Sequence, residues 1–268
     1  MRLETRDKRL ETKKENWEKA TDKFIRKWKN KKEVVGALVC GSYVTGNPTK
    51  HSDIDINIIL DNKCNWRMRG DEYVDGYLME YLVNPPKQHE IYFKEDIQQK
   101  RKGNIHMFLT GKVLFDKTGD VEKLIQSARK WDKKKYKKSN EALIEINKYF
   151  LWDKKDNLEE VFMRNKEDFY FVYYNFLNDI LVTYSNYLGF DNMPVYKARR
   201  FLTEEKDKLK YQLTDYPDKK FVIMYIKAMQ LKDKKKMLKE YQGLSKYVLN
   251  KMGGFDIDGW EVKTPLSK

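Results

Sequence analysis

An apolar run from Val34 to Cys40 stops at Gly41-Ser42, and a second, Ile54 to Leu60, opens inside Asp53-Ile54-Asp55. Both runs are short and bounded by turn-forming residues, notably the stretch Gly46 to Ser52, so they read as strands. Successive side chains of a strand alternate between faces. Asp53 and Asp55 therefore share one face while Ile54 and Ile56 point into a core. Asp-x-Asp alone also suits an exposed edge strand with a charged face; its surroundings argue otherwise.

Two adjacent carboxylates repel each other unless a cation lies between them. Mg²⁺ suits such a pair, because it takes oxygen ligands, one or two of them carboxylates, and fills its shell with phosphate oxygens and water. Gly41-Ser42, at a strand end and opening a helix, adds backbone N–H groups and a hydroxyl that can hold phosphate oxygens. A third carboxylate is expected on a neighbouring strand. Tyr73-Val74 and Tyr77 to Val83, joined by Asp75-Gly76, fit a tight hairpin that ends at Asn84-Pro85-Pro86. Glu80 lies inside the second of these strands, where a charged residue needs a reason. Glu72 and Asp75 are weaker alternatives near the turn.

Elsewhere helical spacing dominates. Trp17, Phe24, Ile25 and Trp28 mark an amphipathic helix from Lys13 to Trp28, Gln88 to Arg101 and Ile105 to Leu109 suit helices, and Val113 to Phe115 suits a strand. A helical run follows Gly119-Asp120 to about Lys138. The Lys-rich stretch Lys130 to Lys138 marks a composition shift, which places a boundary between residues 1–130 and 131–268. Beyond it, Asn140 to Trp152, Leu158 to Gly189 and Asp218 to Lys251 are helical. Phe169, Val172, Tyr173, Phe176, Leu177, Ile180, Leu181 and Tyr184 form a stripe that reads as a bundle core rather than a base-stacking surface.

With 55 Lys and Arg against 41 Asp and Glu, the 268-residue chain carries a formal charge of +14. That field attracts anions of any kind, and its Lys-dominated, dispersed distribution does not single out nucleic acid. No apolar run is long enough to cross a bilayer and Met1 to Lys32 is charged throughout, so a cytoplasmic protein that does not engage a membrane is expected. Cys40 and Cys64 have no metal-ligand spacing and read as reduced bystanders; His51, His89 and His106 offer no zinc pattern.

A hydrophobic strand, Gly41-Ser42, a spacer, Asp53-x-Asp55 and Glu80 on a later strand together resemble the polymerase-beta-like nucleotidyltransferase superfamily. Tyr81 to Pro86 and Gly111-Lys112-Val113-Leu114-Phe115-Asp116 extend the resemblance to bacterial antibiotic-modifying members, over roughly residues 34 to 130. It implies an α+β fold, with an N-terminal catalytic domain, a mixed sheet backed by helices, followed by a C-terminal helical bundle that binds the acceptor. It also implies that Asp53 and Asp55 hold one or two Mg²⁺ ions carrying an NTP, expected to be ATP. Gly41 and Ser42 would hold terminal phosphates, and Glu80 would complete the metal site or act as general base.

Basic partners for the triphosphate are then sought at Lys50, beside Ser52, at Arg67 and Arg69 on alternate positions of an extended segment, and at Lys197, Arg199 and Arg200. The acceptor expected first is a small hydroxylated molecule such as an aminoglycoside or lincosamide. Glu141, Glu145, Asp153, Asp156, Glu159, Glu160, Glu167 and Asp168 are the acids available to a cationic one. The alternatives are transfer to RNA or protein, as in toxin and antitoxin relatives, and a catalytically silent nucleotide-binding module.

Overall fold

The computed structural model describes residues 2–164, 167–264 and 266, with side chains for all of these except 2–15, 209 and 210. The chain divides into two compact units, Met1–Lys134 with Leu209–Leu213, and Lys135–Lys208 with Thr214–Lys268.

The first unit is built on five strands, β1 (Val34–Cys40), β2 (Ile54–Leu60), β3 (Met68–Val74), β4 (Tyr77–Asn84) and β5 (Lys112–Asp116), in the spatial order β3-β4-β2-β1-β5. β2 and β4 run parallel and the other neighbouring pairs antiparallel, so the sheet is mixed. Helix α1 (Arg2–Lys29) covers one face, where Trp17, Phe24, Ile25 and Trp28 meet Ala37, Val39, Ile54, Ile56 and Ile58. Helix α2 (Ser42–Thr45) is a single turn after β1. Helices α3 (Pro86–Gln98), α4 (Gly103–Thr110) and α5 (Asp120–Asp132) cover the other face, packing Phe93, Ile105, Phe108 and Leu124 on Val35, Leu38, Cys40 and Ile59. Burial on both faces explains why β1 and β2 read as continuous apolar runs with little polar alternation.

The second unit is helical: α6 (Glu141–Met163), α7 (Phe169–Leu188), α8 (Val195–Thr203), α10 (Lys219–Gln230) and α11 (Lys234–Lys251), with α9 (Glu205–Lys210) spanning the junction in sequence. Leu151, Leu158, Phe169, Tyr173, Leu177, Ile180, Phe221, Tyr225, Tyr241 and Val248 belong to one core. Asn140, Asp218 and Asp233 cap α6, α10 and α11, each accepting a hydrogen bond from the backbone N–H three residues on, at 2.8, 3.0 and 2.9 Å.

Several elements differ from the sequence expectation. Helix α1 begins well before Lys13. Helix α5 stops at Asp132 rather than running to Lys138, and the Lys-rich segment that follows is irregular; clustered like charges oppose a helix there. The stretch 158–189 belongs to two helices, and Asp233 splits 218–251 by capping a new one. Helices α8 and α9 fall between the stretches read as helical. Strand β3 starts at Met68, which carries Arg69 and Gly70 into the sheet.

Candidate active site

The site forms where the end of β1 and the start of β2 lie beside the middle of β4. Asp55 is the second residue of β2, and the parallel register sets it opposite Glu80 of β4. Ile54, Ile56 and Ile58 pair with Met79, Tyr81 and Val83 and face α1, so the intervening pair Asp55 and Glu80 turns to the opposite face. Asp53 lies immediately before β2 rather than within it. The three carboxylates nevertheless converge: one oxygen from each lies within 4.8 Å of the others, and all three residues are half-buried. Among the described residues this is the only group of three or more His, Cys, Asp or Glu side chains so placed.

Gly41 fits against this cluster. Its φ of 80° and ψ of −161° belong to a region that only glycine occupies readily. A Cβ at this position would lie 1.9 Å from Asp55 Oδ2. The backbone thus passes directly against a carboxylate oxygen, and then turns into α2, beginning at Ser42. The loop after α2 is held internally. Thr45 Oγ1 donates to Asn47 Oδ1 at 2.9 Å, and Ser52 Oγ accepts from the Thr49 N–H at 2.9 Å. Ser52 therefore shapes the loop, while Lys50 is exposed on it.

The two arginines have separate partners. Arg69 forms an ion pair with Glu80 across the β3–β4 ladder, and Arg67 donates to the Tyr92 hydroxyl of α3 at 3.1 Å. The surroundings of Glu80 act in opposite directions. Burial pushes its carboxyl above the usual range, a hydrogen bond with Asp53 and the charges of Asp53 and Asp71 add to that, and the Arg69 guanidinium pulls the other way. Behind Asp55 lies the Cys40 thiol, pushed up by burial and then by the Asp55 charge; Asn57 Nδ2 donates to its sulfur at 3.5 Å. Burial, then Tyr77 and Asp53, raise the Tyr43 hydroxyl.

Asp71 and Tyr43 were not singled out from the sequence. Asp71 was legible in principle: Asp75 and Gly76 both have positive φ, the signature of a two-residue hairpin turn, and counting back from that turn pairs Asp71 with Glu80. Glu72, weighed as an alternative third acid, instead forms an ion pair with Lys27 of α1, and Asp75 accepts from Lys23 at 2.6 Å. Lys197, Arg199 and Arg200 lie on α8 in the helical unit, where Arg200 pairs with Asp207 at 3.3 Å.

Residues 22–120 match the family described as Polymerase beta, Nucleotidyltransferase. The match falls within the sheet-bearing unit, which has the nucleotidyltransferase fold. The chain is also similar to a solved nucleotidyltransferase-like protein from Exiguobacterium sibiricum 255-15, at 11% identity and a TM-score of 0.43, over 88% of this chain and 75% of that one. No curated protein matches it. The matched segment takes in every residue of the acidic cluster together with Gly41, Ser42, Lys50, Ser52, Arg67 and Arg69. Among the described residues, no helix is long and apolar enough to cross a membrane.

Proposed function

We propose that the protein is a Mg²⁺-dependent nucleotidyltransferase that moves a nucleoside monophosphate from an NTP, ATP first, to a hydroxyl of a small-molecule acceptor, releasing pyrophosphate. The observation that supports it is the convergence of Asp53, Asp55 and Glu80 beside the glycine-only backbone of Gly41. Three carboxylates form a hard, all-oxygen donor set, which fits Mg²⁺ and leaves positions for phosphate oxygens and water. Asp53 and Asp55 would hold the metal, with Glu80 as third ligand or as the base for the acceptor hydroxyl. When bound, Mg²⁺ neutralises phosphate charge and stabilises the attacking and leaving oxygens.

The protein's own groups account for the rest. The Gly41 and Ser42 backbone and the Ser42 hydroxyl hold the terminal phosphates. Lys50, Arg67 and Arg69 supply positive charge nearby, and Ser52 keeps the loop in shape. The acceptor oxygen forms a bond to the α-phosphorus as the bond from that phosphorus to the pyrophosphate oxygen breaks. The acceptor proton leaves to Glu80 or to solvent.

The helical unit is the proposed acceptor domain. An antibiotic is one acceptor class, but a polycationic one is disfavoured by the charge of +14 and by local pairing of acids on α6. Glu145 pairs with Lys148 at 2.6 Å, and Glu160 with Arg164. The same charge favours RNA as a second acceptor reading.

Thermal melts with each NTP, with and without Mg²⁺, test the donor half. A ligand at about a hundred times its Kd adds about 2.7 kcal/mol to the folded state. A Mg²⁺-dependent rise that vanishes in Asp53→Asn supports the reading; no rise with any NTP refutes it. Pyrophosphate release in an acceptor screen tests the other half, and NTP binding without release from any acceptor would favour a silent binding module.

A further inference from the structure

The aromatic stripe of α7 has a second side. Phe169, Tyr173, Leu177 and Ile180 are buried in the bundle, but Tyr170, Phe171 and Tyr174 remain 42%, 73% and 44% exposed. These three rings line an open cleft of about 360 Å³ together with Asn175, Asn178 and Val195. Isolated exposed apolar residues are ordinary, but adjacent exposed rings lining one cleft call for an occupant. From this cleft we infer that the helical unit carries a binding site for single-stranded nucleic acid, with bases stacked on Phe171, Tyr174 and Tyr170 and phosphates held by lysines at its rim.

Charge complementarity selects this occupant. The Tyr170 hydroxyl donates to the Lys232 carbonyl at 3.1 Å, which ties the cleft to the start of α11. That segment carries Lys232, Lys234, Lys235, Lys236 and Lys239, and Lys234 Nζ lies 5.5 Å from the Tyr170 ring centroid. Two neighbouring acids are paired, Glu240 with Lys227 at 2.6 Å and Asp179 with Lys154 at 2.6 Å. Asp233 keeps its charge while capping α11, and with Glu167 and Asp168 it opposes the five lysines. The rim is therefore basic beside a floor of rings.

Other occupants fit less well. A small ligand is normally enclosed over most of its surface, whereas these rings stay between 42% and 73% exposed. A second copy of the chain in a symmetric dimer would set the same lysine rim beside itself. A single strand needs one ring face per base, cations along its backbone and amides near base edges, which Asn175 and Asn178 provide. The inference stands on the cleft alone and does not rest on the transferase reading.

The test uses the full chain and fluorescein-labelled single strands of RNA and of DNA about twelve nucleotides long, within the range of such sites. Anisotropy is measured between about 50 and 200 mM salt. Both strands are expected to bind, and the stronger identifies the source of the ligand. Phe171→Ala and Tyr174→Ala should each weaken binding by about 5- to 150-fold, the range expected for a lost base stack. Their melts should hold steady, since both side chains are exposed. Lys235→Ala and Lys236→Ala should each lower the salt slope by about one where they meet phosphate. Asp55→Asn should bind as the parent does, separating this site from the acidic cluster. Absence of binding at low salt, or binding indifferent to both ring substitutions, overturns the inference. So does a concentration-dependent dimer that Phe171→Ala dissolves, because that outcome assigns the cleft to a second copy.

Discussion

Gly41→Ala adds one methyl group, and the geometry around it predicts two separable effects. The new Cβ would lie 1.9 Å from Asp55 Oδ2, where real contacts keep at least 3.0 Å, so the carboxylate must retreat by about 1 Å or the backbone must give. A displacement of that size at a reacting site can cost on the order of a hundredfold in rate. Separately, alanine at φ 80°, ψ −161° carries strain of about 1–3 kcal/mol, against which the reduced freedom of the unfolded chain returns about 0.4–1 kcal/mol. The net is a drop of a few degrees in Tm. Calorimetric melts without metal read the strain, and pyrophosphate release reads the displacement. A cycle with Asp55→Ala separates them, because in that background the methyl has room and only the backbone strain remains. Wild-type turnover in Gly41→Ala with an unmoved melt would refute the claim that glycine is required here by the Asp55 oxygen.

Asp53→Asn or Asp55→Asn should abolish turnover while leaving the metal-free melt unchanged or slightly higher, since one of two repelling charges is removed; wild-type rates in both would remove them from the metal site. Ser42→Ala should chiefly raise the apparent KM for NTP, and unchanged nucleotide affinity and rate would take the hydroxyl out of the phosphate site. His89, buried against Phe108, has its pKa lowered to about 3 by burial. The unfolded chain therefore binds the extra proton first as pH falls below about 6.5, and stability drops by about 1.4 kcal/mol per pH unit, or about 2 kcal/mol between pH 6.5 and 5. Urea titrations of wild type and His89→Leu over that range should differ in slope by this amount, and equal slopes would contradict the burial argument. Asp218→Ala removes a helix cap and the acceptor for the Tyr184 and Tyr247 hydroxyls at 2.7 and 2.9 Å, so denaturant melts should show a loss of about 2–4 kcal/mol.

The alternation of a strand was enough to place Asp55 and the isoleucines on opposite faces, and the apolar setting of Glu80 was enough to mark it. What the sequence did not disclose is contact between segments. Gly41 is recognisable as a turn residue, but the oxygen that forbids a side chain there belongs to a residue on the next strand. Arg67 and Arg69 look like a pair in sequence, yet one is held by a carboxylate and the other by a phenol, because the elements beside them differ. On α7, helical spacing identified the buried stripe correctly, but aromatics occur all round that helix, and spacing alone does not separate a ring in a core from one facing water. The break before α11 was available in Asp233, whose capping role the apolar periodicity on either side concealed.

The two-residue turn at Asp75-Gly76 acts as a length gauge. It sets which β3 residues face Glu80, so inserting or deleting a single residue there would slide Arg69 away from its acid and present a different side chain in place of Asp71, without touching any residue of the cluster itself. Across descendants of this chain, substitutions within the hairpin should therefore be tolerated far more freely than changes in its length. The eleven-residue interval from Arg69 to Glu80 should persist where the letters between them do not.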